Sequence, residues 1–391
     1  MTSEGAGADR QAAALAVCVG ESAVRIWGMS GEERMSRIFA RGGLRRITAA
    51  EAAGSGADGG VLVARADWVV DEKLVRALAV RPMSLLRAPG GEVVAVHVPA
   101  GVAVACADAL GAGAGTEAPA FAGLEALDLE ALSYNHELRK REAPVLELLQ
   151  PDGVRAVEAR TFQGSYKGVT DLVTKYVWPV PARIVTRWCA QARMTPNQVT
   201  FAGFLLVLAA FWYFWRGEYG PGLLCAWIMT FLDTVDGKLA RVTLQSSKMG
   251  NVFDHGIDLI HPPFWWWAWY VGLSAAGTPP AGEILGLPLY PLCLALIVAG
   301  YVLQRVEEGI FLALFRVEMH AWRPFDSFFR LITARRNPNL ILLSVAWLAG
   351  APDLGFAAVA AWTGICLIVH LVQILQGLAT PKGQVVSWLS R

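Results

Sequence analysis

The sequence predicts an α-helical integral membrane domain with six transmembrane helices, preceded by a soluble α/β domain. Three observations carry this. Six long apolar segments occupy 197–215, 220–239, 251–274, 288–315, 338–351 and 354–378, and most approach or exceed the roughly 20 residues a helix needs to cross a bilayer. Basic residues are divided unevenly among the loops between them. The first 155 residues instead hold short Val-rich runs separated by small-residue stretches, the pattern of buried strands and turns.

Composition agrees. The chain of 391 residues is 54% hydrophobic with 15 Trp, and its mean hydropathy is +0.41. The Trp residues concentrate in the second half, where interface anchoring uses them. A net charge of +1 leaves no electrostatic footprint for nucleic acid. Cys18, Cys106, Cys189, Cys225, Cys293 and Cys366 are scattered without a C-x-x-C pair. They therefore argue for neither a disulfide framework nor a cysteine zinc site, and read as small buried apolar residues.

In the soluble half, 13–20, 60–70 and 92–105 read as strands, and 32–40 and 72–78 as helices. The stretches 53–60 and 111–120 read as turns, and the charged 127–149 as a helix. Residues 1–10 carry Glu4 and Asp9 without a basic run before the apolar stretch 12–19, unlike a secretory signal. The N-terminus is therefore expected in the cytoplasm. With that orientation the inside loops hold Arg241, Lys248, Arg316, Arg323, Arg330, Arg335 and Arg336, joined by tail residues Lys382 and Arg391. The opposite side holds only Arg216. This obeys the positive-inside rule and places the protein in the cytoplasmic membrane. The expected division is a soluble domain at 1–155, a linker with a surface helix at 156–194, and a membrane domain at 195–380.

Just before the first span, Ile184 and Trp188 lie four apart, as do Arg183 and Arg187, within 179–193. That pattern suits a helix lying in the membrane interface with its arginines toward lipid phosphates; the alternative is an ordinary linker helix.

The second and third spans meet in an acidic constellation. Together they read D-x-x-D-G-x-x-A-R from Asp233 to Arg241, then G-x-x-x-D-x-x-x-D from Gly250 to Asp258. Asp233, Asp236/Gly237 and Ala240/Arg241 share one helical face, as do Gly250, Asp254 and Asp258. A short loop lets the two helices pack antiparallel and bring four carboxylates together near the cytoplasmic boundary. Charge inside membrane segments is rare and usually functional. Four carboxylates would repel one another, and hard divalent cations with oxygen ligands relieve that repulsion. Two such ions bridged by carboxylates would clamp a pyrophosphate. Gly237, Ala240 and Gly250 leave room for a ligand, and Arg241 supplies a fixed cation.

This stretch resembles the signature of the CDP-alcohol phosphotransferases, also called CDP-alcohol phosphatidyltransferases, at every specified position. The likeness covers roughly 195–378, and Thr195-Pro-Asn-Gln-Val-Thr200 resembles the start of the family's first span. The resemblance implies that Asp233, Asp236 and Asp254 are ligands to two Mg2+ or Mn2+ ions that hold the CDP pyrophosphate. It implies that Gly237, Ala240, Arg241 and Gly250 line the cytidine nucleotide site beside Asp233. Asp258 would be the general base on the acceptor hydroxyl, also touching metal. The hydroxyl would attack the β-phosphorus and CMP would leave. Family members with six helices are often homodimers.

The acceptor side is less determined. Arg305 lies within the fourth span, and Arg323, Asp326, Arg330, Arg335, Arg336 and Asn337 lie in the loop after it. Arg305, Arg335 and Arg336 are the candidates for binding a phosphorylated acceptor bidentately; for the loop the alternative is anchoring to anionic lipid. His255 and His261 flank Asp258 and read as supporting or packing residues.

Residues 20–160 resemble the nucleotidyltransferase domain fused to inositol-phosphate-handling members of the family, of the inositol-phosphate cytidylyltransferase and di-inositol-phosphate-phosphate synthase type. Gly28-Met-Ser-Gly-Glu-Glu-Arg34 and Val61-Leu-Val-Ala-Arg-Ala-Asp67 carry that likeness, which makes Asp67 the candidate metal ligand there. The Gly-rich basic loop a triphosphate needs after the first strand is absent: 17–22 offers one glycine and no cation before Arg25. The domain is therefore read as degenerate, regulatory or structural, with an active cytidylyltransferase as the alternative.

The expected function is transfer of a phospho-alcohol from a CDP-alcohol such as CDP-diacylglycerol to a lipid acceptor. The alternative is transfer from CDP-inositol to a soluble phosphorylated polyol. A metal-ion transporter is a third reading. It predicts acids deep in the spans and internal repeats, whereas these acids sit at span ends.

Overall fold

Side-chain alternation builds the N-terminal α/β half. The computed structural model describes residues 13–56, 59–135, 138, 140–246, 248–275, 282–284, 286–381 and 383–390, without the side chains of 248, 249, 251, 254 and 390. The tail residues Lys382 and Arg391 lie outside the described residues. The strands β1 (Leu15–Val19), β2 (Arg45–Arg46), β3 (Val61–Arg65), β4 (Ser84–Arg87), β5 (Val93–Val98) and β6 (Glu125–Ala126) form one sheet in the order β2-β1-β3-β5-β4-β6. β1 runs parallel to β2 and β3, β5 antiparallel to β3 and β4, and β6 parallel to β4. In β3, Leu62 and Ala64 face one layer and Val61 and Val63 the other, as a two-residue period requires. Helices α1 (Gly31–Arg41) and α2 (Glu72–Ala79) cover the first face with Met35, Ile38, Phe39, Leu74 and Leu78. Helix α3 (Ala103–Gly111) covers the second with Cys106 and Leu110.

Most of the expected elements in this half are present, with three corrections. The stretch 60–70 breaks after Arg65, and Trp68–Val70 leaves the sheet to pair antiparallel with Leu146–Leu148. The stretch 92–105 is strand only through Val98. Pro99 has no N–H for a ladder, and the chain turns there into α3. The charged 127–149 is not a helix: its described residues form Tyr134–Asn135, Lys140–Arg141 and Leu146–Leu148. Pro144 opposes a helix there, the Asn135 side chain accepts from the Leu138 N–H at 2.9 Å in place of a helical bond, and Leu146 gains burial by pairing across to Val70.

All six apolar segments are helices: α6 (Pro196–Trp215), α7 (Tyr219–Val242), α8 (Lys248–Ala275), α9 (Leu289–Phe315), α10 (Arg336–Leu348) and α11 (Pro352–Ala379), following α4 (Val154–Gly164) and α5 (Pro179–Gln191). Three of them, α6, α9 and α11, are long and apolar enough to cross a membrane by length and composition. α7 and α8 carry the acidic motifs, and α10 has 13 residues. The six share one core, with Phe214 of α6, Met229 of α7, Trp265 and Trp269 of α8, Tyr290 of α9, Leu343 of α10 and Phe356 of α11. Buried aromatic donors find acceptors: Trp265 Nε1 donates to Val207 O at 3.0 Å and Tyr219 Oη to Trp269 O at 3.0 Å. A Cβ on Gly272 would lie 2.0 Å from Phe214 O, so glycine lets α8 approach α6 closely. Outward, Phe201, Leu205, Leu208 and Trp212 are all exposed and share one face of α6, a stripe suited to lipid.

The two halves are joined by a packed seam. Ile26 and Trp27, Val157 and Phe162 of α4, Ala182 and Cys189 of α5, and Val235 and Leu239 of α7 form one cluster. Arg34 Nη1 donates to Val242 O at 3.1 Å and Arg37 Nη1 to Thr243 O at 2.6 Å. Burial pulls the Arg34 pKa down to about 10, which leaves the side chain charged at neutral pH. On α5, Arg183, Ile184 and Trp188 face outward, as an interfacial helix requires. Arg187 departs from that pattern, because its Nε lies 3.0 Å from Glu158 Oε2. Within the 28–34 motif, Gly28 has φ +74 and a Cβ there would lie 2.7 Å from Ala190 O of α5. Its glycine thus serves contact with the surface helix.

Gly31 opens α1 against the backbone of Ala66, where an added Cβ would lie 1.7 Å from the carbonyl oxygen. Gly31→Ala is expected to destabilise the protein by about 1–3 kcal/mol, the usual range for overpacking, seen as a lower Tm in detergent. An unchanged Tm would show that α1 shifts freely away from Ala66.

Candidate active site

The acidic motifs meet where the C-terminal third of α7 packs near the first half of α8. Asp233 and Asp236 of α7 and Asp258 of α8 line one small cavity with Thr200 and Gly203 of α6 and with Met229. Its volume of about 10 Å3 is near the minimum that accommodates one water-sized occupant. Asp254 precedes Asp258 by one helical turn, and its side chain lies outside the described residues. Gly250 lies in the first turn of α8.

Arg336, the first residue of α10, joins the two acidic helices. Its Nη2 donates to Asp233 Oδ2 and its Nη1 to Asp258 Oδ1. The Arg336 side chain is 18% exposed and those of Asp233 and Asp258 are 22% and 40% exposed, so the bridge is shielded more on α7 than on α8. One guanidinium therefore balances two carboxylates that would otherwise repel. Asp236 is buried and accepts a hydrogen bond from Thr200 Oγ1 at 2.6 Å. Tyr301 of α9 donates to the carbonyl oxygens of Asp258 and Leu259 at 3.2 and 2.9 Å, tying α9 to α8 at the site.

Thr200 reaches Asp236 because of how α6 begins. Thr195 and Gln198 form a reciprocal capping box, with Thr195 N donating to Gln198 Oε1 at 2.8 Å and Gln198 N to Thr195 Oγ1 at 3.3 Å. Pro196 takes the first helical position, where its missing N–H costs nothing. The 195–200 stretch is thus a helix start that also delivers a side chain to the acidic cluster.

A second cavity, of about 280 Å3, shares Asp258 with the first and is also lined by Arg336. Arg305, Arg330, Arg335 and His255 also line it. The Arg305 guanidinium lies 3.6 Å from the Tyr301 ring and donates to Tyr301 O at 3.0 Å. Asn337 donates to Asp171 Oδ1 at 2.9 Å, which pins the start of α10 to the linker. Arg323 faces elsewhere. It donates through Nε and Nη2 to Asp326, at 2.9 Å each, and fully buried Asp326 also accepts from Gln373 at 2.8 Å. That pair holds the loop itself.

Arg241 reaches the linker at Ser165. Its Nη1 lies 3.5 Å from the carbonyl oxygens of Gly237 and Ser165, and it lines a third cavity of about 370 Å3 with Arg34, Lys73, Lys140 and Glu142. This cavity lies between α7 and the N-terminal α/β half. A Cβ on Gly237 would lie 3.8 Å from Arg241 Nη1, an ordinary contact. Ala240 follows Gly237 on α7 by three residues. Buried Lys238 donates to Ser165 O at 3.1 Å and lies 3.4 Å from the Tyr166 ring centroid. His261 is a packing residue: its Nδ1 lies 2.7 Å from Ile257 O and its ring 4.5 Å from that of Trp265. In the N-terminal half, Asp67 is engaged by Arg65, with Nε at 3.0 Å from Oδ1 and Nη2 at 2.6 Å from Oδ2.

Three contributions escape sequence reasoning: the Arg336 bridge, the Thr200 hydroxyl and the Lys238 anchor. Lys238 had a signal, since a lysine inside an apolar segment needs a partner. Thr200 had a weaker one, at the end of the 195–200 motif.

Fold and site together define an integral membrane protein whose carboxylates open beside a guanidinium-lined cavity. The donors are all hard oxygen atoms, a set that suits Mg2+ or Mn2+. Residues 193–369 match the family model for CDP-alcohol phosphatidyltransferase, and the chain carries that domain. Archaetidylinositol phosphate synthase of Pyrococcus horikoshii is 37% identical over 79 residues, 20% of this chain and 42% of that protein. The bifunctional IPC transferase and DIPP synthase of Rubrobacter xylanophilus is 25% identical over 235 residues, 60% of this chain and 50% of that protein. The chain thus spans about half or less of the length of these curated relatives. The solved structure of Mycobacterium tuberculosis phosphatidylinositol phosphate synthase in complex with manganese and citrate matches with 18% identity and a TM-score of 0.38, covering 52% of this chain and 92% of that one.

Arg336→Ala removes the cation from Asp233 and Asp258. In a chelator it is expected to cost about 1–3 kcal/mol, the range for leaving charged groups unpartnered, read as a lower Tm. Added Mg2+ or Mn2+ should raise its Tm more than that of the wild type. A variant as stable as the wild type in chelator would show that the bridge contributes nothing.

Proposed function

We propose that this chain is an integral membrane transferase that moves a phospho-alcohol group from a CDP-alcohol to an acceptor hydroxyl, releasing CMP. The observation that carries this reading is that Asp233, Asp236 and Asp258 line one cavity that shares Asp258 with a neighbouring cavity lined by four arginines, one of which, Arg336, bridges Asp233 and Asp258. The reading takes all six helices of the bundle as spans. Short α10 is included because it shares the common core, and the Arg-rich loops and the soluble domain lie on the cytoplasmic side.

In this reading Asp233, Asp236 and Asp254 hold Mg2+ or Mn2+, with Asp258 alongside. The bound ions supply charge neutralisation for the diphosphate. Gly237, Ala240 and Gly250 leave space for the nucleotide, and Arg241 faces it from the soluble side. Asp258 takes the proton of the acceptor hydroxyl, which requires hydrogen-bond reach to that oxygen; its place on both cavities suits the role. Arg305, Arg335 and Arg336 orient a phosphorylated acceptor. Arg336 also keeps the acidic faces of α7 and α8 in register before substrate arrives. The acids lie between helices beside an arginine-lined pocket suited to anions, which favours group transfer over ion transport.

A second reading of the substrates has its own support. The match over 60% of the chain to a bifunctional IPC transferase and DIPP synthase, with an α/β sheet ahead of the membrane helices, favours CDP-inositol as donor and a soluble polyol phosphate as acceptor over CDP-diacylglycerol. The soluble domain itself is read as a structural unit, because Asp67 is already committed to Arg65.

The test is CMP release by purified protein given CDP-diacylglycerol or CDP-inositol with lipid or polyol phosphate acceptors. Asp258→Asn is expected to lower the rate by about 10²–10⁴, the usual contribution of a positioned base. Absence of CMP with every donor, or a wild-type rate from the variant, would overturn the proposal.

A further inference from the structure

Behind the arginine-lined cavity lies a second cluster of ligating groups that phospho-alcohol transfer does not use. Glu308 of α9, His320 of the turn Met319–Ala321 and His370 of α11 each offer a ligand atom, and these atoms lie within 4.8 Å of one another. His370 is completely buried and His320 is 5% exposed. Among the described residues, neither ring nitrogen of His370 has a hydrogen-bond partner, and neither has Nδ1 of His320. Buried imidazole nitrogens left without partners lose the hydration they had in water. Two such rings turned toward one carboxylate therefore call for an occupant.

The surrounding charges are defined. His320 Nε2 lies 3.2 Å from Glu308 Oε1, which also accepts from Arg335 Nη2. Glu307 Oε2 lies 3.5 Å from His370 Nδ1. The carboxylates of Glu307 and Glu308 thus stand against Arg335, with the charge of Arg330 also acting on both rings. Phe329 packs at 6.3 Å from the His370 ring, and the two imidazoles lie 5.4 Å apart, edge to face. The pocket is polar at its centre and aromatic at its wall.

We propose that Glu308, His320 and His370 form a second metal site, taking Zn2+ or a similar divalent transition ion and separate from the aspartate cluster. Two imidazoles and one carboxylate are a borderline donor set that selects transition ions over Mg2+. Three protein ligands also leave the fourth tetrahedral position for Glu307 or water. The ion clamps α9, the turn at 319–321 and α11 together. Its ligand Glu308 is paired with Arg335, the chain neighbour of Arg336, so the same clamp positions the arginines that meet the aspartates. This inference stands whether or not the transferase reading holds.

The test uses full-length protein in detergent, stripped by chelator and titrated with Co2+ as a spectroscopic stand-in for Zn2+, in excess Mg2+. The expected result is one Co2+ per chain with the intense visible absorption of tetrahedral coordination, displaced by Zn2+. The band should disappear in His320→Asn, His370→Asn and Glu308→Gln and persist in Asp233→Asn. If the histidine variants do not fold, the wild-type spectrum still decides. Only weak octahedral absorption, no stoichiometric binding, or a band that survives the histidine substitutions would overturn the proposal.

Discussion

Placing charge inside an apolar helical bundle is the constraint on which the rest of this structure depends, and Arg336 is where it is met. Two carboxylates on neighbouring helices repel each other, and burial strengthens that repulsion. A single planar guanidinium with two donor edges satisfies both at once. To stand there it must enter from a third helix. The chain supplies α10 for this purpose and fixes its start through Asn337 and Asp171. The acidic pair and the short helix therefore explain each other: α10 reaches the site with its first residue, and its apolar remainder completes the common core.

The same logic extends outward. Asp236 is met by a hydroxyl from α6, Lys238 by a carbonyl and an aromatic ring from the end of α4 and the residues after it, and Arg34 by the carbonyl at the end of α7. Each of these three buried groups is answered by a different segment, so the polar contacts cross-link the bundle and bind it to the N-terminal α/β half. Apolar packing alone would tolerate sliding of one helix on another, because dispersion and burial are not directional. These polar partners set the registers.

The N-terminal α/β half illustrates how a motif can change meaning in three dimensions. The glycines at 28 and 31 sit in a stretch resembling a nucleotide-binding segment, yet Gly28 approaches the surface helix and Gly31 the backbone of Ala66. Asp67, the acid after β3, is taken by Arg65. The α/β sheet remains while its polar groups serve contact between elements. The seam it forms with α4, α5 and α7 is apolar and continuous, which suits a domain that supports the membrane site from one side.

Much of this was legible in the chain itself. Six apolar runs gave six helices, because length and hydropathy are local properties. The spacing of Asp233, Asp236 and Asp258 put them on facing helices, because a helix repeats every 3.6 residues. The stretch 127–149 was misread because its charged residues suit a helix locally, while burial of Leu146 against Val70 depends on a partner far away in the chain. Tertiary structure alone decided that Arg336 bridges the aspartates, that Arg241 reaches Ser165 of the linker, and that two histidines gather at Glu308. These are contacts between segments up to roughly a hundred residues apart, and helical or strand periodicity carries no information about which distant segments will meet.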